Sequence, residues 1–277
     1  MTTTHRGRAR RTVRGHAVRG HARRGHARRG AALVVALVTI AVLASVTAIA
    51  STRARQAASV VDNRRSQVTA RAMAESGVLA ARARIESELR DAARDAGPDS
   101  ARVDRVFEAL TTGNGPVVQD TISEGVFATA VVDVSARLDV NTASADGLRQ
   151  LLATVAPPEQ ARRVAESIEA RVRGDTSLAM QPFTSLDELL TVPGMNAAWL
   201  DAIAVDLTVD GDGRVNRRTA SPRVLAAATG TLVDRPSRLL LISRGWRLGH
   251  VLTREIQAVF DVNGTELRLV RWREQDR

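Results

Sequence analysis

Residues 31–50 of the chain read AALVVALVTIAVLASVTAIA, a run of twenty residues without a charge, a proline or a glycine. At a rise of about 1.5 Å per residue, a helix of this length spans about 30 Å, the thickness of the hydrocarbon core of a bilayer. Arginines flank the run on both sides, with Arg28 and Arg29 before it and Arg53 and Arg55 after it. The run therefore predicts a single membrane-spanning helix.

The positive charge of the chain belongs to its first thirty residues. The formal net charge is +10, but residues 1–30 contain ten arginines and no acid, whereas residues 31–277 carry 30 basic and 30 acidic side chains. An arginine-rich segment ahead of a lone apolar helix is retained in the cytoplasm by the positive-inside rule. We therefore expect a cytoplasmic leader, a single pass through the inner (cytoplasmic) membrane, and a periplasmic or otherwise extracytoplasmic C-terminal domain.

The leader has the composition of a disordered segment, with a five-residue repeat that begins at His16, His21 and His26. Such a segment has too few apolar residues to bury. A secretory signal peptide would have a shorter apolar run followed by a small-residue cleavage site. Because the apolar run is long, we predict that the leader is removed and that the helix is retained.

The predicted helix continues beyond the membrane. Residues 52–96 contain no proline and only one glycine, Gly77, and they are rich in residues that favour helix. Gly97-Pro98 is a typical helix end. Apolar residues recur at helical spacing, which is typical of one packed face. They are Val61, Val68, Ala72 and Leu79, with Val78, Ile85 and Leu89 nearby.

A basic leader that ends in glycine, followed by a membrane helix that runs into a second helical segment, resembles the N-terminus of type IV pilins and type II secretion pseudopilins. The resemblance implies that a prepilin peptidase cuts after Gly30 and that the new N-terminus, Ala31, is methylated. Most members have glutamate as the fifth mature residue, where this chain has Val35. Val35 has no carboxylate to pair with the terminal amine of a neighbouring subunit in a low-dielectric core.

Residues 139–205 form a helical segment with short loops. Ser144 and Ser221 are predicted helix caps, and Ser185 with Glu188 has the pattern of a capping box that opens a helix through Leu190. The segment contains the motifs DVNTAS (139–144), FTSLDEL (183–189) and VPGM (192–195), and the first motif is partly repeated in VNRRTASP (215–222). These motifs resemble helix-hairpin-helix modules of DNA-uptake receptors. They resemble equally the helical insert of the largest minor pseudopilin, the K subunit of type II secretion, and the partial repeat favours the K subunit.

Charge separates the two resemblances. DNA binding requires positive charge around backbone amides that contact phosphate. Residues 139–205 contain five arginines and nine acids, and Ala156-Pro157-Pro158 stands where a DNA-binding hairpin would have glycine. We therefore keep a membrane-anchored helix-hairpin-helix DNA-uptake protein as the alternative, and an unrelated binding module with an uncleaved signal anchor as a third hypothesis.

Apolar, β-branched runs predict strands near 126–134, 238–246, 250–262 and 265–272, and Asn263-Gly264 predicts that the last two form a hairpin. The predicted fold class is α+β. It has a long N-terminal transmembrane helix and a pilin-like α/β domain with an antiparallel sheet, interrupted by a helix-hairpin-helix or SAM-like insert. The predicted boundaries are 1–30 (leader), 31–96 (N-terminal helix), 97–138 (first part of the pilin-like domain), 139–205 (insert) and 206–277 (second part, with the C-terminal strands).

One loop has the pattern of a cation site. In the stretch DGDGRVN (210–216), Asp210, Asp212 and Asn216 offer oxygen ligands at even positions, with glycines at 211 and 213 for a tight loop. The resemblance to the K subunits, which bind calcium, implies the same ion here. The loop departs from an EF-hand at Arg214 and lacks a closing glutamate, so a plain Asp-Gly turn is the other interpretation. Calcium is the one cofactor that we expect.

The resemblance implies a scaffold rather than an enzyme. His250 is the only histidine outside the leader, and the sequence has no G-x-S-x-G elbow and no P-loop. The predicted function is that of a minor pseudopilin at the tip of the type II secretion pseudopilus, which nucleates assembly and aids protein export. The expected partners are the smaller minor pseudopilins, the prepilin peptidase and the inner-membrane secretion platform. Val61, Val68, Ala72 and Leu79 are the predicted partner interface.

Overall fold

The structure is a computed structural model that describes residues 24–98, 100–112, 117–174 and 181–276. Most of the predicted leader therefore lies outside the described residues. The chain forms two compact units, one that ends at Val61 and one that runs from Asp62 to Arg277.

A single helix, α1 (Arg24–Ala96), contains the apolar run and continues into the second unit. Among the described residues, it is the one helix long and apolar enough to cross a membrane. The three hydroxyl groups of the apolar run, on Thr39, Ser45 and Thr47, each donate to the carbonyl four residues earlier in the helix, at 2.8 to 2.9 Å. The helix ends directly before Gly97-Pro98, which confirms the predicted end.

The second unit combines short helices with a main sheet and two small strand pairs. The helices that follow α1 are α2 (Ala101–Thr112), α3 (Ala145–Leu152), α4 (Pro158–Arg173), α5 (Ala197–Ile203) and α6 (Pro222–Ala227). The strands are β1 (Val118–Ile122), β2 (Gly125–Asp133), β3 (Leu138–Asp139), β4 (Leu207–Thr208), β5 (Arg214–Asn216), β6 (Thr231–Val233), β7 (Arg238–Arg247), β8 (Thr253–Asn263) and β9 (Glu266–Asp276).

The main sheet is antiparallel throughout, with the strand order β1-β2-β7-β8-β9. The four predicted strands are all present, and the last two form the predicted hairpin. Its two turn residues are Gly264 and Thr265, one position later than the predicted Asn263-Gly264, because Asn263 pairs with Glu266; Gly264 has φ +62°. Strand β1 was not predicted, because its sequence VQDTI carries polar residues and its burial is slight. The segment between β2 and β7 contains α3 to α6, so these helices interrupt the sheet in sequence.

Small side chains allow α1 to lie directly on the sheet. Ala74 and Ala81 are completely buried on this face of the helix. A methyl group added at Gly77 would lie within 2.7 Å of Thr129 Oγ1 and 2.9 Å of the Phe127 ring. The core between helix and sheet is completed by larger residues of α1, α2 and the strands. These are Val78, Ile85, Leu89, Val103, Phe107, Leu110, Val131, Leu239, Leu241, Ile256, Ala258, Phe260 and Leu267.

The apolar residues of α1 that were predicted to form one packed face lie on two different faces. Val78, Ile85 and Leu89 are completely buried against the sheet, as predicted. The residues Val61, Val68, Ala72 and Leu79 are exposed, so the prediction that they share that packed face is wrong. The reason is geometric. A shift of one residue, from Leu79 to Val78, rotates the position by about 100° around the helix, and the sheet takes the side that carries the small residues.

The helical insert has a hydrophobic core of its own, separate from that of the sheet. It includes Leu148, Leu151 and Ile168 from the predicted segment. It also includes Val215 and Val224, so the helical core continues beyond the predicted boundary at Val205. The partial repeat at 215–222 thus belongs to the insert, and it leads into α6 as DVNTAS leads into α3.

The predicted caps have mixed outcomes. Ser144 Oγ accepts from the Gly147 amide and Ser221 Oγ from the Val224 amide, each at 3.2 Å, which confirms both caps. Ser185 makes no side-chain cap, and residues 186–191 form a 3-10 helix rather than the predicted α-helix. Here Glu188 reaches one residue further back and accepts from the Thr184 amide at 3.2 Å, so the capping box is wrong.

We expect Gly77→Ala to lower the free energy of unfolding by about 1–3 kcal/mol, because the added methyl group overpacks the contact between helix and sheet. Chemical denaturation of the full chain in detergent measures this. Ser87→Ala is the matched control on the exposed surface of the same helix, and it should change stability by less than about 0.5 kcal/mol. Equal stability of the two variants would contradict the close packing at Gly77.

Candidate functional site

The exposed face of α1 is the candidate assembly surface. In the second unit, Val68 is 70% exposed, Leu79 is 62% exposed, and Ala72 lies exposed between them. Val61, the last residue of the N-terminal unit, is 67% exposed. Single exposed apolar residues are common on proteins, but a line of them at helical spacing is typical of a helix that packs against another helix.

A charged pair borders this apolar line. Arg71 pairs with Glu75 at 2.9 Å across one helical turn. Such exposed pairs contribute little to stability, but they satisfy the long side chains on the flanks of the helix. The surface can therefore accept an apolar helix along its centre while its polar rim stays in water.

Four of the five arginines in residues 139–205 pair with acids of the same segment. Arg162 contacts Glu159 at 3.0 Å and Glu166 at 2.9 Å. Arg171 reaches Glu188 at 2.8 Å. With nine acids for five arginines in residues 139–205, the segment has a net negative charge, which repels phosphate. This geometry gives the DNA-binding alternative no support.

The DVNTAS motif (139–144) joins three segments of the insert through Asn141. Asn141 Oδ1 accepts from the Phe183 amide at 2.7 Å, and its Nδ2 donates to the carbonyls of Phe183 at 3.0 Å and Val209 at 3.2 Å. Burial raises the pKa of the neighbouring Asp139 carboxyl, which accepts hydrogen bonds from the Asn141 amide and Thr142 Oγ1. The DVNTAS motif thus has a structural role in connecting these segments, with its polar groups directed inward.

The VNRRTASP motif (215–222) joins the insert to the sheet through Asn216 and Thr219, a role that the sequence did not reveal. Asn216 Nδ2 donates to Asp133 Oδ2 at 2.8 Å, and Thr219 Oγ1 donates to the same oxygen at 2.6 Å. The other oxygen of Asp133, at the end of β2, accepts from the amide and hydroxyl of Ser135. The buried carboxylate is therefore fully hydrogen-bonded. The one sequence signal for this role of Asn216 is that its motif is similar to the motif that contains Asn141.

Helix α2 is tied to the same region by an ion cluster. Asp104 accepts from Arg218 at 2.8 Å and from Arg235 at 2.6 Å. Burial opposes ionisation of Asp104, but the two guanidinium groups hold the pKa of its carboxyl below the usual value.

The predicted calcium ligands make separate contacts. Asp210 pairs with Arg271 at 3.0 Å and also with Arg273. Asp212 Oδ1 accepts from Ser237 Oγ at 3.0 Å, and the Asn216 amide is directed to Asp133. Within the described residues, no group of three or more acidic, histidine or cysteine side chains is arranged to hold a metal. These side chains do not fit a shared calcium site, although calcium binding itself stays an untested prediction.

The predicted processing residues lie within α1. Gly30 and Ala31 fall inside its helical range, and the side chain of Val35 is 65% exposed. Cleavage after Gly30 and methylation of Ala31 stay predictions, as does the role assigned to Val35.

The chain is similar in fold to a chain in the crystal structure of the GspK-GspI-GspJ complex from the type 2 secretion system of enterotoxigenic Escherichia coli. The TM-score is 0.53 at 14% sequence identity, and the match covers 73% of this chain and 95% of that chain. No family model and no curated protein matches the chain. At this identity the likeness shows the fold, which is the predicted pilin-like α+β fold with a long N-terminal helix and an antiparallel sheet.

Proposed function

We propose that this chain is a minor pseudopilin of a type II secretion system, located at the tip of the pseudopilus, where it nucleates assembly and aids protein export without being an enzyme. The observation that carries the proposal is the architecture. One apolar helix continues without a break into the helix that packs on a pilin-like sheet, and a helical insert interrupts that sheet in sequence. The solved neighbour, which is similar in fold, is part of a complex of secretion proteins.

The position at the tip rests on two features of the chain. Val35 lacks the carboxylate that would pair with the terminal amine of a subunit above. The insert, with a hydrophobic core of its own, is a bulky addition that would oppose the stacking of a further subunit above it. Both features permit neighbours below but not above, which is the arrangement at a fibre end.

The proposed partners are the smaller minor pseudopilins, which would pack their first helices on the exposed face of α1. A prepilin peptidase would process the chain, and the inner-membrane secretion platform would extract it. The proposed orientation in the inner membrane has the leader in the cytoplasm and the second unit in the periplasm, because all of the uncompensated arginines precede the apolar run.

Processing tests the pseudopilin assignment. In cells with a prepilin peptidase, the intact mass of the purified chain should correspond to a start at Ala31 that carries one methyl group. Gly30→Leu should retain the whole leader, whereas the matched control Gly25→Leu, at the earlier glycine, should be cut normally. Full-length chain in wild-type cells, or normal cutting of Gly30→Leu, would refute the assignment and favour an uncleaved signal anchor.

Crosslinking tests the assembly surface. The chain has no cysteine, so Val68→Cys and Leu79→Cys each introduce a single thiol on the exposed face. When a smaller pseudopilin carries a cysteine on its first helix, mild oxidation should give a disulfide-linked heterodimer, because helices in contact bring Cα atoms within about 7 Å. The matched control is Ser87→Cys, exposed but about 80° away around the helix from Leu79. Crosslinking of Ser87→Cys as efficient as that of Leu79→Cys would contradict this surface.

A further inference from the structure

Three arginines surround Asp210 in the loop that follows β4. Asp210 is 8% exposed, and its carboxylate pairs with Arg271 at 3.0 Å and with Arg273. Arg238 donates to the Asp210 carbonyl at 2.9 Å and to the Gly211 carbonyl. We call this group, Arg238, Arg271 and Arg273 around Asp210, the arginine clamp.

The arginine clamp joins the insert to the sheet at two separate points. Arg271 and Arg273 are alternate residues of β9, so they lie on one face of the strand. Besides Asp210, both donate to the carbonyl of Thr184, at 3.1 Å and 3.0 Å. Positions 184 and 210 are distant in sequence, so two adjacent side chains of the sheet hold both segments of the insert.

The third arginine anchors the same loop to the middle of the sheet. Arg238 begins β7 and pairs with Asp261 of β8 at 2.6 Å. Its guanidinium therefore has one partner on the sheet and backbone partners in the loop. The loop is held by charge-assisted hydrogen bonds, which are stronger than neutral ones.

This arrangement is the opposite of what a calcium site requires. Calcium takes six to eight oxygen ligands and is favoured by an excess of negative charge. Here the Asp210 carboxylate is already paired with two guanidinium groups, and the guanidinium of Arg238 lies on the carbonyls of the same loop, so a divalent cation beside Asp210 would be repelled by them. We infer that the arginine clamp does, without metal, what a bound cation would do in an acidic loop, namely fix the helical insert on the sheet.

The test uses the full-length chain in detergent, with hydrogen exchange and thermal unfolding as readouts. Arg271→Ala/Arg273→Ala should raise amide exchange in residues 181–192 and 207–216 by about tenfold or more, while the central strands β7 and β8 keep their protection. Arg268→Ala, an exposed arginine on the same strand, is the matched control and should leave exchange in these segments unchanged. Exchange in these segments that does not differ between the double variant and the control would overturn the inference.

Calcium provides the second arm, and it needs no variant. A ligand that binds the folded state must raise its stability. Since we expect no calcium to bind, millimolar calcium should leave the Tm of the unaltered chain equal to its Tm in chelator. A rise of about 4 °C or more would overturn the inference. If the double alanine variant does not fold, Asp210→Asn replaces it, and faster exchange in the same two segments is again the expected result.

This inference is independent of the proposed secretion role. Loss of the arginine clamp would change how the insert is held, whereas the processing of Gly30 would be unaffected. Failure of one can therefore be distinguished from failure of the other.

Discussion

The close contact between α1 and the sheet is the constraint on which the second unit depends. At Gly77 the helix approaches Thr129 and Phe127 so closely that no side chain fits. From the other side, Gly245 of β7 lies under the backbone of Ala70 and Ala74. Because these backbones meet directly, the larger residues on either side of the contact interdigitate and form the core.

That contact also determines which surface remains for partners. With the small-residue side of α1 against the sheet, the line from Val68 to Leu79 faces outward. The same helix thus carries the apolar run, forms the core and presents the candidate assembly surface. The interior of a membrane and the surface of a neighbouring apolar helix are both apolar environments, so the exposed apolar residues of α1 suit either one.

The insert follows a different physical scheme. Its helices have their own core. Polar contacts attach it to the sheet, namely the hydrogen bond from Asn216 to Asp133 and the ion pairs of the arginine clamp with Asp210. Buried charged groups are costly unless every one is paired, and at these contacts each carboxylate has two or more donors. The attachment is therefore directional, which is what a bulky domain needs if it is to stay in one orientation.

The sequence predicted well those features whose cause lies within a few residues. The long apolar helix, its end at Gly97-Pro98, the hairpin that follows Asn263 and the caps at Ser144 and Ser221 all depend on local spacing or turn chemistry, and the structure contains each of them.

The features that it missed depend on partners far along the chain. No local pattern predicts that Arg271 and Arg273 reach Asp210, so the sequence did not reveal these two pairs. Similarly, Val78 and Leu79 are both apolar, and only the position of the sheet decides which of them is buried. In the same way, Glu188 accepts from the Thr184 amide instead of that of Ser185, and its other oxygen pairs with Arg171 of α4.

The most direct test of the account is the position of this chain in an assembled fibre. Pseudopili can be sheared from cells that express the chain with an epitope tag after Arg277, and gold-labelled antibody can then be counted by electron microscopy. The account predicts label at one end of each fibre and none along its length. Label distributed evenly along the fibre would contradict the tip position and the role assigned to Val35.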